Sequence, residues 1–252
     1  MNGSLFRGGL AVTAACAIWG GLYVVSKAVM NYLPPLPLVW LRFLLSALLM
    51  APLVAWGREK VGRTDFGWLL VSSLPAFTLS IVTQFVGTEL SSAALGSLIT
   101  ASSPAFIVLL APLFLRELVR LPQVAALAVA TAGVALVVGL PGTAGPRVFL
   151  GGLYLTAAGF TWAFYTVLNK RLANRLSVYT ITFYNVLLGA VALTPLSAPA
   201  AARLPWASFS PLIWAGILYI GLVSTAGTCS SGTGVFPACR PLSPRSFSSS
   251  SP

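Results

Sequence analysis

From Leu36 to Trp56 the chain runs for 21 residues with one charged side chain, Arg42. Similar apolar runs recur along its length, and they are continuous, without strand-like alternation. A helix rises about 1.5 Å per residue, so roughly 20 apolar residues cover a hydrocarbon core of about 30 Å. A transmembrane barrel would instead show alternating segments of about ten residues. Composition supports the same solvent: 57% of residues are hydrophobic and 8% charged, against about 25% charged in soluble domains. Mean hydropathy is +0.90. Such a chain cannot wet a surface, so the fold class expected is an all-α membrane protein.

The predicted spans are Gly9–Met30, Leu36–Trp56, Phe66–Val86, Ala93–Leu115, Pro122–Leu140, Phe149–Leu168, Val178–Leu196 and Ser210–Ala226. Short connections make sequence neighbours antiparallel. The first run continues past Cys16 through Trp19 and Tyr23, too long for a cleaved signal segment. Cys16, Cys229 and Cys239 support no disulfide framework.

Nine basic residues fall on one set of loops: Arg7, Arg58, Lys60, Arg63, Arg116, Arg120, Lys170, Arg171 and Arg175. The other set holds Arg147 and Arg203. Cytoplasmic loops collect Lys and Arg, so the N-terminus is expected in the cytoplasm, in the inner membrane of a bacterial cell. The net charge of +11 thus reads as topology and implies no nucleic-acid partner.

One stretch is used twice. Shifting Ala15–Pro52 by 143 residues places Trp19 on Trp162, Lys27 on Lys170, Leu33 on Leu176 and Pro52 on Pro195. Trp and Lys are scarce here, so these matches define a duplicated unit. Five spans precede the restart, and an odd number turns the second unit upside down. Inverted repeats are the architecture of many secondary transporters, with a site near the midplane where the halves meet. The organisation expected is a first repeat over 1–141, a second over 142–228 with three spans, and a polar tail over 229–252.

The set Ala17-Ile18-Trp19-Gly20-Gly21, Leu41-Arg42-Phe43-Leu44-Leu45, Ser92-Ala93-Ala94-Leu95-Gly96-Ser97-Leu98 with Ser103-Pro104, Glu117, Ala132-Gly133-Val134 and Gly221-Leu222-Val223-Ser224-Thr225-Ala226 resembles the EamA-type branch of the drug/metabolite transporter superfamily. That resemblance implies a polytopic helical bundle of two inverted five-helix repeats, a ten-helix design of which about eight spans are present. It implies a permease exporting small metabolites, amino acids or drugs by alternating access. Arg116 departs from the family, which usually has Gly there, and 229–252 shows no ninth or tenth helix. The alternative is a truncated product that inserts without transporting; a membrane scaffold or lipid-handling subunit is a third reading.

Site candidates are intramembrane polar and aromatic residues. Lys27 and Arg42 carry charge inside spans, which points to function or to a partner, although long side chains also snorkel. Gln84 and Asn185 are intramembrane amides that bond a substrate or another helix. Trp19 with Tyr23, and Trp162 with Tyr165, place two rings on one helix face, and the resemblance implies a cavity lining. Ala93, Ser97, Ala101 and Ala105 form a small-residue face that suits close packing, and Pro104 predicts a kink. No histidine or Cys cluster exists, and no GxxxxGK[ST] loop. No enzyme, cofactor or metal is expected. The partners expected are a small-molecule substrate and the lipid bilayer, with a homodimer left open.

The tail's Ser/Pro-rich composition suggests a shifted reading frame. A frame that joins each third base to the next two bases turns every junction into a TCN serine into Phe, Leu, Ile or Val. Ser248–Ser251 then conceal an apolar run. Reading the nucleotides across Ser224–Pro252 in that frame, and beyond, should reveal an apolar helix, an acidic residue and a last small-residue-rich helix. A stop codon or a charged run there would leave an eight-span chain.

Overall fold

The computed structural model describes residues 20–57, 59–103, 105–107 and 145–223, with isolated positions 17, 110, 125, 128, 129, 132, 133 and 136. Cys16, Trp19, Arg58, Pro104, Arg116, Glu117, most of the expected fifth span and everything from 224 onward lie outside the described residues. Seven helices carry the described fold: α1 over 20–29, α2 Pro35–Gly57, α3 Arg63–Leu90, α4 Ala93–Ala101, α5 Pro146–Leu172, α6 Val178–Ala202 and α7 Pro211–Leu218. No strand occurs among the described residues. α2, α3, α5 and α6 are each long and apolar enough to cross a bilayer, at 23 to 28 residues. The protein is an all-α, multi-pass membrane protein.

The helices start where the local chemistry directs. Ser92 and Ser177 cap α4 and α6, their hydroxyls accepting from Leu95 N and Thr180 N at 3.2 Å. Pro146 and Pro211 open α5 and α7, where a missing N–H costs nothing. α3 and α5 outrun their apolar cores at both ends, because a helix continues through the polar interface after the hydropathy signal stops.

The 143-residue offset reappears in the backbone. α1 ends at 29 and α5 at 172; α2 begins at Pro35 and α6 at Val178. Both third helices contain a π-turn, Ser73–Thr78 in α3 and Tyr219–Val223 after α7. In α3 the turn holds Pro75. Proline lacks the N–H of the ladder and crowds the preceding turn, and the wider π geometry accommodates that local disruption.

Contacts along the helices give their directions. Lys27, near the end of α1, reaches the carbonyls of Thr88, Glu89 and Ser91 at the end of α3, so α1 and α3 run parallel. α5 runs against α3: Asp65 meets Arg175, Ser80 Oγ donates to Ala158 O at 2.8 Å, and Glu89 meets Arg147. α1 and its repeat mate α5 therefore point opposite ways. α2 and α6 are opposed too, with Trp40 Nε1 donating to Thr194 Oγ1 and Phe43 lying against Gly189. These crossings enclose one core built from Leu22, Phe43, Phe77, Ile81, Val186 and Ile217. Leu48, Leu53, Trp56, Val191, Leu196 and Leu212 stay on the outside, the face that meets lipid.

The buried positions along this stretch are Gly96 and Ile99 in α4 and Ser103 just beyond it. Ala93, Ser97 and Ala105 are half-buried beside them, so the packed face is turned slightly from the small-residue row.

α3 and α5 touch backbone to backbone. A Cβ on Gly87 would lie 2.9 Å from Gly151 O, and one on Gly151 would lie 2.9 Å from Gly87 O. Carbonyls cannot swing aside as side chains do. Gly87→Ala should therefore destabilise the purified protein by about 1–3 kcal/mol, the usual cost of overpacking. Gly67→Ala, in the same helix with open space around it, should be neutral or stabilising by up to about 1 kcal/mol. Denaturant unfolding in mixed micelles separates the two.

Candidate functional site

The π-turn of α3 turns Phe77 into the middle of the bundle. Its ring lies 5.4 Å from Phe43 of α2, 6.3 Å from Trp162 and 5.2 Å from Tyr165 of α5. Trp162 and Tyr165 are themselves 5.1 Å apart. Four rings from three helices and both repeats thus meet in one group. Offset and tilted ring pairs add about 0.5–1.5 kcal/mol beyond their buried area.

Against this group sits Asn185 of α6, fully buried. Its Nδ2 donates to Tyr165 Oη at 3.2 Å. Ser73 Oγ donates to its backbone carbonyl at 3.0 Å, and Ser72 Oγ approaches its Oδ1 at 3.5 Å. The amide is held from α3 and α5 together, which makes Asn185 a joint between three helices.

Arg42 lies seven residues into α2, about 10 Å along the axis. It does not snorkel: its side chain is buried, and Nη1 has no hydrogen-bond partner among the described residues. Its guanidinium stands over the ring of Phe85 at 5.6 Å. Tyr23 of α1 is within electrostatic reach of it, and the Tyr23 hydroxyl is also buried without a partner. α4 passes closely over Tyr23, since a Cβ on Gly96 would lie 2.8 Å from its ring. Gln84 is buried in α3 beside Phe85, and its carbonyl accepts from Thr88 Oγ1 at 2.8 Å.

Lys27 behaves differently. Its Nζ donates to Thr88 O, Glu89 O and Ser91 O at 3.0, 2.6 and 3.2 Å. A cation over the last carbonyls of a helix satisfies groups that have no partner of their own and complements the dipole. Lys27 also borders a cavity of about 330 Å³ with Asn31, Glu89, Ser91 and Arg147, where Arg147 Nη2 and Glu89 Oε1 are 2.9 Å apart.

The eight residues singled out in the sequence thus divide. Trp162, Tyr165 and Asn185 form the central group, while Tyr23, Arg42 and Gln84 lie between it and the Lys27 end. Lys27 caps α3, and Trp19 lies outside the described residues. Phe77, Ser72, Ser73 and Thr100 carry no mark in the sequence as site residues. The signal available was Pro75 inside a span, which betrays the π-turn that aims Phe77 inward. Among the described residues no group of acidic, His or Cys side chains could hold a metal.

A lipid-embedded bundle of opposed repeats with a mid-span aromatic and polar group is the build of a membrane transporter. The chain belongs to the EamA-like transporter family, whose pattern it matches over residues 6–139 and 149–231. It is 27% identical over 219 residues to an uncharacterized transporter of Archaeoglobus fulgidus, covering 85% of this chain and 74% of that one. It is 32% identical over 168 residues to a Salmonella typhimurium protein named "Probable amino-acid metabolite efflux pump", covering 66% of this chain and 54% of the pump. A crystal structure shares the fold at a TM-score of 0.62 and 22% identity, over 90% of this chain and 79% of that one.

Replacing Asn185 by Ala strands Tyr165 Oη and removes the Oδ1 that Ser72 Oγ approaches, while Ser73 keeps its bond to the backbone carbonyl. The expected loss is about 1–2 kcal/mol, the range for a buried hydrogen-bonded group in helical membrane proteins. Unfolding of the purified variant in micelles measures it, and an unchanged unfolding curve would remove Asn185 from the three-helix joint.

Proposed function

We propose that the chain is a permease that exports small molecules, metabolites, amino acids or drugs, across the bacterial inner membrane by alternating access. The observation that carries this reading is the four-ring group of Phe43, Phe77, Trp162 and Tyr165, drawn from both opposed repeats. A group shared by two inverted halves lies where their relative tilt would change its exposure from one side to the other. The halves are taken as residues 1–141 and 142–228, with the N-terminus in the cytoplasm. The substrate pathway runs past Tyr23, Arg42 and Gln84 to Trp162, Tyr165 and Asn185, with Lys27 at its outer end and Trp19 on the same path. The efflux function named for the Salmonella relative supports the outward direction. Family transporters need no catalytic residues, and none is assigned here.

Two expected outcomes test this. Inside-out vesicles carrying the protein should accumulate an amino acid or amphipathic drug above control vesicles, and Phe77→Ala should cut the rate at least about tenfold through loss of buried ring contacts. A cysteine placed at Lys60 should react with an impermeant maleimide only from the cytoplasmic face. Reaction from outside would overturn the orientation.

A further inference from the structure

Arg42 and Asn185 occupy the same place in the two repeats, since 185 − 42 is the repeat offset of 143. Each stands on the second helix of its unit, and each second helix packs against the π-turn of the other unit. Ser73 Oγ of the first π-turn bonds Asn185 O, and Ser46 Oγ of α2 bonds Gly221 O in the second. The surroundings of the two polar side chains nevertheless differ. Asn185 is answered by Tyr165 and Ser72. Arg42 keeps a buried Nη1 with no hydrogen-bond partner among the described residues.

No described carboxylate stands opposite that charge. Glu89 pairs with Arg147, Asp65 with Arg175, and Glu59 accepts from Ser177. Tyr23 of α1 is within electrostatic reach of the guanidinium, and further buried hydroxyls lie on α1 and α4. Tyr23 Oη, Ser26 Oγ and Thr100 Oγ1 are all buried without hydrogen-bond partners. Ser26 lies one turn from Tyr23 on the same face of α1. Thr100 stands beside Tyr23, its hydroxyl short of hydrogen-bond geometry. α1, α2 and α4 therefore carry one positive charge and three buried hydroxyls that make no hydrogen bond among the described residues, and none of the described carboxylates neutralises the charge. An unpaired charge inside a membrane protein is among the most expensive groups it can hold, and a buried donor left unmade adds to that cost.

We propose that Arg42, Tyr23 and Thr100 form a carboxylate subsite, which takes the anionic end of a small-molecule substrate. The proposal rests on the reading of this region as the transport pathway. Arg42 Nη1 supplies the charge, and the hydroxyls of Tyr23 and Thr100 donate to the carboxylate oxygens. Phe85 holds one face of the guanidinium by a cation–π contact, which leaves its edge for the ligand. The charge count selects carboxylate over phosphate. Lys27 is committed to three carbonyls and Arg147 to Glu89, so Arg42 offers a single positive charge. A monoanion neutralises it; a dianion would leave a net negative charge in lipid.

The test uses the purified full chain in lipid nanodiscs. Its melting temperature is followed against sodium acetate, acetamide and sodium phosphate, with ionic strength held by sodium chloride. Acetate should raise the melting temperature saturably, acetamide should not, and phosphate should act more weakly than acetate. Arg42→Gln should abolish the acetate shift, and Tyr23→Phe and Thr100→Val should each weaken apparent acetate affinity about tenfold, the loss of one charge-assisted bond. Should Arg42→Gln fail to insert, the two hydroxyl variants carry the decision alone. An acetate shift of equal size in wild type and variants, no acetate shift in the wild type, or a larger shift with phosphate overturns the subsite. Acetate binding without vesicle transport would leave the subsite standing and sink the permease reading. Transport by a chain blind to acetate would do the reverse.

Discussion

Lipid offers no water to hydrogen-bond, so every polar group within the spans must be answered by the protein itself. Much of the described structure follows from that demand. Thr83, Thr156, Thr166 and Thr194 each return their hydroxyl to the carbonyl four residues back, which hides a polar group at little cost. Ser80 and Ser73 cross to neighbouring helices instead and become joints. Lys27 turns an otherwise costly charge into a cap for α3. Against that background, Arg42 Nη1 is the charged atom among the few buried polar atoms that find no hydrogen-bond partner among the described residues, beside hydroxyls such as Thr78 and Ser197.

The same demand explains how the two repeats are joined. α3 and α5 approach until their backbones touch at Gly87 and Gly151, a contact that van der Waals packing favours where no hydrophobic force drives helices together. The ends of this pair are tied by Arg147–Glu89 and Arg175–Asp65. Both ion pairs are largely exposed on the arginine side, and such pairs contribute about 0–1 kcal/mol. The helix pair is thus tight along its length and weakly fastened at its tips.

The π-turns give the middle its character. Pro75 breaks the regular ladder of α3, and the widened turn sends Phe77 towards Trp162 and Tyr165 while exposing Ser72 and Ser73 to Asn185. The second π-turn has no proline. Its Gly221 lies under Leu45, where a Cβ would come within 2.8 Å, so α2 packs closely on the second π-turn.

Helical class and membrane solvent were legible in the sequence, because apolar runs of sufficient length have one stable form in a bilayer. Trp162, Tyr165, Asn185 and Arg42 could be marked for the same reason: aromatic and polar groups are conspicuous in an apolar span. What each one meets could not be read there. Periodicity gives a residue a face on its own helix and says nothing of the helix opposite, so Asn185 as a joint and Arg42 as an unanswered charge look alike in one dimension. Phe77 was hidden among other apolar residues until the π-turn rotated it inward. Which polar group finds a partner and which is left without one is decided only when helices far apart in the chain are brought within 3 Å, and that is a property of the tertiary structure alone.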